Sequence, residues 1–236
     1  MTPHILCTGT SRGIGRAIVA ALGRDARVIG HAARPTAAPD IVPADFAEPG
    51  AAAALWAEAL DRLDGRIDVL VNNAGIFEAA PIAAPDADWS AAWGRTMQIN
   101  LTAAAELSRR AVAHMAGHGG GRIVSVASRA AHRGDSPDHW AYAASKAGLV
   151  AMTKTIARGY ARDGVLAFAI CPGFTLNGPA DDYVASRGGP ALLADIPLGR
   201  VTEPEEVAAA VRFLALDAPA AMTGAILDIN GASYVR

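Results

Sequence analysis

Two ionisable side chains, Tyr142 and Lys146, stand four residues apart in the segment WAYAASKAG at residues 140–148. On an α-helix, residues i and i+4 lie one above the other on the same face. A neighbouring ammonium group favours the phenolate and so lowers the tyrosine pKa from its usual value of about 10. A tyrosine tuned in this way can exchange a proton near neutral pH. A half-buried ring beside a solvated lysine would give the same spacing, so the rest of the chain must decide.

A glycine-rich turn, TGTSRGIG at residues 8–15, follows the first apolar run and precedes a helical pattern. Glycines at positions 9, 13 and 15 allow a tight turn and a close approach of the backbone to a pyrophosphate at the helix N-terminus. Many loops contain three glycines, but this position between a strand and a helix favours nucleotide binding.

Three further polar positions follow the glycine turn. NNAG at residues 72–75 ends one strand pattern, and Ser128 ends another, fourteen positions before Tyr142. In an open parallel sheet, ligands bind outside the carboxyl ends of the strands, so these residues are expected at one crevice. Asn100 lies inside a long helical pattern, where its side chain competes for backbone hydrogen bonds; this indicates either a functional role or a helix bend.

Short apolar runs alternate with alanine-rich helical patterns along the chain. The predicted strands are HILCTG, ARVIGH, IVPA, IDVLVN, GRIVSVAS, VLAFAIC and AILDIN. The predicted helices are Ile14–Gly23, Ala51–Leu63, Ser90–Met115, Ala141–Ala161 and Glu203–Leu216. This alternation predicts an α/β fold with one doubly wound parallel sheet. The eight residues Ala33–Asp40 are too few for a crossover helix, so a loop is expected there.

Composition narrows the class of protein. A net charge of −2 and a pI near 6.3 argue against nucleic acid or an anionic membrane as a general partner. Apolar runs of membrane-spanning length and a basic leader are both missing from the pattern, so a cytoplasmic protein is expected. Cys7 and Cys171 have no metal-ligand spacing, and the sequence predicts two buried thiols and no metal site.

These elements, taken in order, resemble the classical short-chain dehydrogenase/reductase family over nearly the whole chain. The matching elements are TGTSRGIG, Asp45 after the third strand, NNAG, Asn100, Ser128, the Tyr142–Lys146 pair, and the turn Pro172–Gly173. The resemblance implies a single Rossmann-fold domain over residues 1–236, with helices on both faces of a seven-stranded sheet. Residues 1–100 would mainly bind a dinucleotide, and residues 100–236 would carry the catalytic residues, a lid at about 177–196 and the final strand.

The resemblance also implies a reaction, in which hydride transfer between nicotinamide and a substrate carbon interconverts a carbonyl and a secondary alcohol. Tyr142 would exchange the proton, Ser128 would hold the substrate oxygen, Lys146 would tune Tyr142 and bind the ribose, and Asn100 would carry a water-linked proton relay. The implied cofactor-binding residues are Gly9, Ser11, Arg12, Gly13, Ile14, Gly15, Arg34, Asp45, Phe46, Asn73, Ala74, Gly75, Tyr142, Lys146, Pro172, Gly173 and Thr175.

The end of the second strand bears on the choice of cofactor. NAD-dependent members usually carry an acidic residue there, whereas this chain has Ala32 and Ala33 followed by Arg34. The guanidinium groups of Arg12 and Arg34 could bind a 2′-phosphate through paired hydrogen bonds, and the sequence therefore favours NADP over NAD. Two solvated arginines in an enzyme that uses NAD remain the alternative.

The substrate is set by the loops, and the sequence leaves it open. A 3-oxoacyl thioester and a small cyclic ketone or secondary alcohol both remain possible, and a non-catalytic nucleotide-binding regulator is a third reading. The loop at residues 130–139 is expected to border the pocket. Substrate-facing candidates are Phe77, Arg129, His132, His139, Trp140, Phe174 and Tyr183. The resemblance also implies a homotetramer or homodimer formed through the two long helices at Ser90–Met115 and Ala141–Ala161.

Overall fold

One sheet of seven parallel strands organises the computed structural model, which describes residues 2–176 and 189–236. The strands are β1 His4–Cys7, β2 Arg27–Ala32, β3 Ile41–Pro43, β4 Val69–Asn72, β5 Gly121–Val126, β6 Val165–Pro172 and β7 Ile226–Ile229. Their order across the sheet is β3-β2-β1-β4-β5-β6-β7, and each neighbouring pair is parallel. The order reverses between β1 and β4, and this is the point at which open α/β sheets bind ligands. The predicted doubly wound sheet is confirmed.

The helices follow the predicted pattern with several corrections. They are α1 Gly13–Leu22, α2 Ala51–Arg62, α3 Asp86–Met97, α4 Ala103–Ala116, α5 Ala130–Arg133, α6 Trp140–Tyr160, α7 Pro190–Ala194 and α8 Pro204–Arg212. The helix predicted over Ser90–Met115 begins earlier and is interrupted by a π-helical turn at Gln98–Thr102. The helix predicted over Glu203–Leu216 ends in a second π-helical turn, Phe213–Asp217. The short helices α5 and α7 lie where the sequence predicted loops.

Two apolar cores lie on opposite faces of the sheet, because successive residues of a strand point to opposite sides. On one face, Leu6 and Leu70 pack with the helices α2, α4 and α6. On the other face, Ile5 and Val71 pack with α1 and α8, and Phe168 is fully buried in this second core. Helices therefore cover both faces. In the described part of the chain, no helix combines the length and apolar character needed to cross a membrane.

The link between β2 and β3 is a loop, as the sequence predicted. Residues 33–40 are all exposed and contain no helix. The loop still lets β3 pair with β2 in parallel register, with Gly30 opposite Ile41. One consequence is that the end of β2, which faces the crevice at the carboxyl edge of the sheet, is followed directly by solvent-exposed chain.

Candidate active site

The glycine-rich turn packs tightly against the turn that follows β4. Gly9 has a φ of +71°, and a Cβ atom there would lie 2.7 Å from the Ala74 Cα. A Cβ atom on Gly15 would lie only 1.9 Å from the Gly9 carbonyl oxygen. The Asn73 side chain donates to the carbonyls of Thr8 and Gly9, at 2.9 Å each. The NNAG segment therefore packs against the glycine turn and stabilises its backbone conformation.

The N-terminus of α1 opens onto a cleft of about 1150 Å³ at the carboxyl edge of the sheet. Within residues 2–176 and 189–236 no side chain caps this helix, so its first-turn N–H groups face the cleft without a side-chain acceptor from those residues. Free N–H groups at a helix N-terminus bind phosphate, and the cleft continues from there past Ala33 to Tyr142. The uncapped helix, the close-packed glycines and the long cleft together fit a dinucleotide.

His31, at the end of β2, supports the same turn and was missed by the sequence analysis. Its Nδ1 accepts a hydrogen bond from the Gly9 backbone N–H at 3.1 Å, and its Nε2 lies 2.7 Å from the Ala44 carbonyl. The ring stacks on Phe46 with 4.2 Å between centroids. Burial lowers the pKa of His31, which favours the neutral ring that this pattern requires. A histidine in a short buried strand gives no signal of this contact in the sequence.

Tyr142 and Lys146 share one face of α6, as their spacing predicted. The Lys146 Nζ lies 5.7 Å from the centre of the Tyr142 ring and donates to the Val126 carbonyl at 3.0 Å. Lys146 is only 4% exposed, and burial lowers its pKa from 10.5 to about 8. The edge of the Tyr142 ring meets Phe77, which stacks on His139. Aromatic contacts thus position the phenol, and a buried cation lies beside it.

Ser128 lies two residues beyond the end of β5 rather than at the strand end that the sequence suggested. The residue register with β6 ends at Val126, although the N–H groups of Ala127 and Arg129 still donate to the carbonyls of Ile170 and Pro172 before α5 begins. The Ser128 Oγ accepts a hydrogen bond from the Ala130 N–H at 3.1 Å, and the side chain lines the cleft with Tyr142 and Lys146. An oriented hydroxyl and a phenol therefore face the same space.

Asn100 lies in the π-helical turn between α3 and α4 and is fully buried. Its Oδ1 accepts from the Ile76 N–H at 2.8 Å, and its Nδ2 donates to the Ile76 carbonyl at 2.9 Å. Nδ2 also donates to the Ser145 Oγ at 3.2 Å. The helix distortion expected at this asparagine is present, and the side chain holds the segment after NNAG in place.

Most of the predicted site residues line the cleft, and a few do not. Those that line it are Gly9, Ser11, Arg12, Gly13, Ile14, Gly15, Asp45, Phe46, Asn73, Ala74, Gly75, Ser128, Tyr142, Lys146, Pro172, Gly173 and Thr175. Asn100 lies behind this lining, and Arg34 is exposed on the loop after β2 outside it. Of the substrate-facing candidates, Phe77, Arg129 and Phe174 line the cleft, whereas His132, His139 and Trp140 do not. Tyr183 lies outside the described residues, as does most of the predicted lid at about 177–196.

An arginine pair that shares one carboxylate lines the cleft. Arg129 and Arg133 contact the Asp195 Oδ2 at 3.3 Å and 2.8 Å. The Arg129 guanidinium also lies 4.3 Å from the centre of the Phe174 ring, and burial lowers its pKa. All four residues line the cleft. The sequence predicted that the loop at residues 130–139 would border the pocket, which is confirmed, but neither Arg133 nor its contact with Asp195 was foreseen.

Comparison with known proteins agrees with this site. A family model described as enoyl-(acyl carrier protein) reductase matches residues 9–232. A 3-oxoacyl-[acyl-carrier-protein] reductase of Synechocystis is 36% identical over 96% of this chain and 94% of its own. The corresponding reductase of Vibrio cholerae is 34% identical over 98% of this chain and 96% of its own. A cis-4-hydroxycyclohexanecarboxylate dehydrogenase of Sinomonas cyclohexanicum is 39% identical over 71% of this chain and 66% of its own.

The family match covers nearly the whole chain and includes every element that lines the cleft. Both near-full-length relatives exceed 30% identity. The chain belongs to the short-chain dehydrogenase/reductase family, and it is an oxidoreductase that interconverts a carbonyl and a secondary alcohol.

Proposed function

We propose that Tyr142 is the acid–base residue of a carbonyl reductase and that Ser128 hydrogen-bonds to the substrate oxygen. The observation that carries this proposal is the placement of both hydroxyls in one cleft with the uncapped N-terminus of α1. A bound nicotinamide dinucleotide supplies the hydride. Tyr142 then donates its phenolic proton to the oxygen of the reduced carbonyl.

Lys146 supports this proton transfer electrostatically. Its ammonium group, 5.7 Å from the Tyr142 ring centre, favours the phenolate that forms when the proton leaves. A pKa of about 8 keeps Lys146 mostly charged at neutral pH. Burial of Lys146 strengthens the interaction, because less water screens the ammonium group.

Asn100 and Gly75 support the proton relay expected behind Lys146. A Cβ atom on Gly75 would lie 3.3 Å from the Asn100 Oδ1 and 3.4 Å from the Lys146 Nζ. The missing side chain therefore keeps the space between the amide oxygen and the ammonium group open. A water in that space could bond to both groups, which is the path that a relay to Tyr142 requires.

NADP(H) is the proposed cofactor. The end of β2 presents Ala32 and Ala33 to the cleft, and neither can repel a 2′-phosphate. Arg12 lines the same part of the cleft and can pair with that phosphate, whereas exposed Arg34 would have to reach it from outside. Replacement of Arg12 by alanine should raise the KM for NADPH at least tenfold and leave the KM for NADH unchanged. An equal rise for both cofactors would contradict the assignment.

The first candidate substrate is a 3-oxoacyl thioester. The near-full-length relatives are named for the reduction of 3-oxoacyl groups on acyl carrier protein. The cleft of this chain is large and lies at an open sheet edge, so an extended acyl chain can enter. In this reading, Arg129 and Arg133 with Asp195 form an ion-pair network that holds α5 against the segment around α7.

A small cyclic ketone with a carboxylate is the second candidate. It is favoured by the two guanidinium groups that line the cleft, since arginine pairs bind carboxylates. The Sinomonas relative is named for a substrate of this kind. In this reading, Arg133 exchanges part of its contact with Asp195 for the substrate carboxylate.

One substrate panel separates the two candidates. NADPH oxidation is followed with an acetoacetyl thioester and with 4-oxocyclohexanecarboxylate, using the wild-type enzyme and Arg133→Gln. Arg158→Gln, which alters an exposed arginine on α6, is the control. A preference for the thioester that Arg133→Gln leaves intact supports the first candidate. A preference for the carboxylate whose KM rises at least tenfold in Arg133→Gln supports the second, and no turnover of any carbonyl would contradict both.

Assembly and location complete the proposal. The long helix unit α3–α4 and helix α6, both rich in alanine, are the proposed contacts of a homotetramer or homodimer in the cytoplasm. Light scattering of the purified enzyme should then give a mass near two or four times 24.1 kDa. A monomer at micromolar concentration would contradict the proposed assembly without affecting the proposed chemistry.

A further inference from the structure

A cluster of three possible metal ligands lies behind the catalytic strand ends and outside the cleft lining. It joins His132 of α5, Cys171 of β6 and Asp228 of β7. The His132 Nε2 lies 3.4 Å from the Cys171 Sγ, and all three ligand atoms lie within 4.8 Å of one another. The residues come from three separate elements, so their spacing in the sequence resembles no metal motif.

The distances suit a tetrahedral ion. Zinc binds thiolate sulfur at about 2.3 Å and histidine nitrogen at about 2.0 Å. Two such ligands of a tetrahedral ion are then separated by roughly 3.5 Å, close to the 3.4 Å found here. The carboxylate must move by about an ångström to complete the set, which a partly exposed aspartate can do.

Contacts with neighbouring residues also favour Asp228 and His132 as metal ligands. Asp228 accepts from the Arg236 Nε through Oδ2 at 3.0 Å, while its buried Oδ1 has no hydrogen-bond partner among the described residues. A buried oxygen without a partner is costly, and a cation would remove that cost. The His132 ring stacks on Tyr234 with an angle of 6° between the planes, which fixes its orientation. Outer contacts of this kind commonly orient metal ligands.

Charge is close to balanced around such an ion. A divalent cation bound to one thiolate and one carboxylate is formally neutral, and the imidazole adds no charge. The nearby cations Arg236, Lys154 and Lys146 repel a bound cation, and the thiolate and carboxylate that bind the ion offset part of this repulsion.

We propose that His132, Cys171 and Asp228 bind one Zn²⁺ ion or a similar divalent ion, with water at the fourth position. Binding converts the Cys171 thiol to a thiolate: the S–H bond breaks, a metal–sulfur bond forms, and one proton is released to solvent. The site is separate from the proposed reaction, and its occupant has a structural or regulatory role. The backbone amide of Ser128 hydrogen-bonds to the Cys171 sulfur, so the metal would also brace the residue that holds the substrate oxygen.

Cobalt titration tests the site directly, because Co²⁺ replaces zinc and absorbs strongly when bound by a thiolate. The metal-free enzyme is titrated with CoCl₂ in the wild-type, Cys7→Ala and Cys171→Ala forms. Cys7 is the matched control, since it is a buried cysteine outside the cluster. We expect a thiolate-to-cobalt charge-transfer band that saturates at one ion per chain in the wild type and in Cys7→Ala, is absent from Cys171→Ala, and is removed by ZnCl₂.

His132→Ala provides a second variant, because it removes a partly exposed ligand and leaves both thiols in place. It should weaken cobalt binding at least tenfold while circular dichroism and NADPH binding stay unchanged. A wild-type enzyme without the charge-transfer band would overturn the proposal. The same conclusion would follow if the band survived in Cys171→Ala or if His132→Ala bound cobalt as tightly as the wild type.

Discussion

The buried ammonium group of Lys146 makes a pH-dependent prediction about stability. The drop in its pKa from 10.5 to about 8 on folding means that the unfolded chain holds the proton more tightly. At pH 7 this pKa difference lowers the free energy of unfolding by roughly 3 kcal/mol. The penalty is complete below about pH 8, is relieved between pH 8 and 10.5, and is absent above 10.5. Stability contributed by this residue therefore rises with pH.

Substitution of Lys146 by methionine removes the charge and keeps most of the side-chain volume. At pH 7 the variant also loses the hydrogen bond to the Val126 carbonyl, about 1.5 to 3 kcal/mol for a charged donor, so the two effects largely cancel. The pH dependence does not cancel. From pH 7 to pH 10, the wild type should gain about 2 to 3 kcal/mol relative to Lys146→Met.

Urea unfolding followed by tryptophan fluorescence measures this difference at pH 7, 8, 9 and 10, at one protein concentration. Lys154→Met is the matched control, since Lys154 is exposed on the same helix and its replacement removes a lysine without removing a buried charge. The reasoning is refuted if the difference in free energy of unfolding between the wild type and Lys146→Met varies by less than about 0.5 kcal/mol over this pH range. Burial of the charged lysine would then cost no free energy.

Three other perturbations test the supports of the site. Gly75→Ala places a methyl group against Asn100 and Lys146 and should lower kcat about tenfold. Gly94→Ala is the control, because the space around Gly94 is open; it should keep full activity and raise the free energy of unfolding in urea by about 1 kcal/mol. Asn100→Ala leaves the partly buried N–H and carbonyl groups of Ile76 without their side-chain partner and should cost about 1 to 3 kcal/mol by the same assay; no measurable loss would contradict its bracing role. Burial lowers the pKa of His31 from its usual value of 6.5, so NADPH affinity measured by fluorescence should stay constant from pH 8 down to pH 6.5; a loss of affinity within that range would contradict the support of the glycine turn by a neutral ring.

The sheet and most of the cleft could be predicted because strand ends and helix faces are set by local pattern. Short apolar runs that end near Gly9 or Asn73 favour buried strands over helices because of their length and flanking residues, and parallel strands bring their ends to one edge. The Tyr142–Lys146 pair was predictable because helical spacing alone puts both residues on one face.

Contacts between distant segments were not predictable in this way. The support of the glycine turn by His31 and the sharing of Asp195 by two arginines depend on side-chain packing across elements. Ser128 was placed at a strand end because it closes the run GRIVSVAS, but the residue register with β6 ends at Val126 and only the N–H groups of Ala127 and Arg129 bond to β6 beyond it. The π-helical turn at Asn100 was only half foreseen, since the local cost of the residue predicts a bend but not the hydrogen bonds to Ile76 that stabilise it.

The central claim is that Tyr142 transfers the proton during carbonyl reduction. The most direct measurement is the rate of NADPH oxidation by Tyr142→Phe with the best carbonyl substrate of the panel, compared with wild type and with Tyr160→Phe, which alters an exposed tyrosine at the end of the same helix. Removal of the phenolic hydroxyl should lower kcat by about 10² to 10⁴ while NADPH still binds, and Tyr160→Phe should keep full activity. A Tyr142→Phe enzyme that turns over within a few-fold of the wild type would contradict the account.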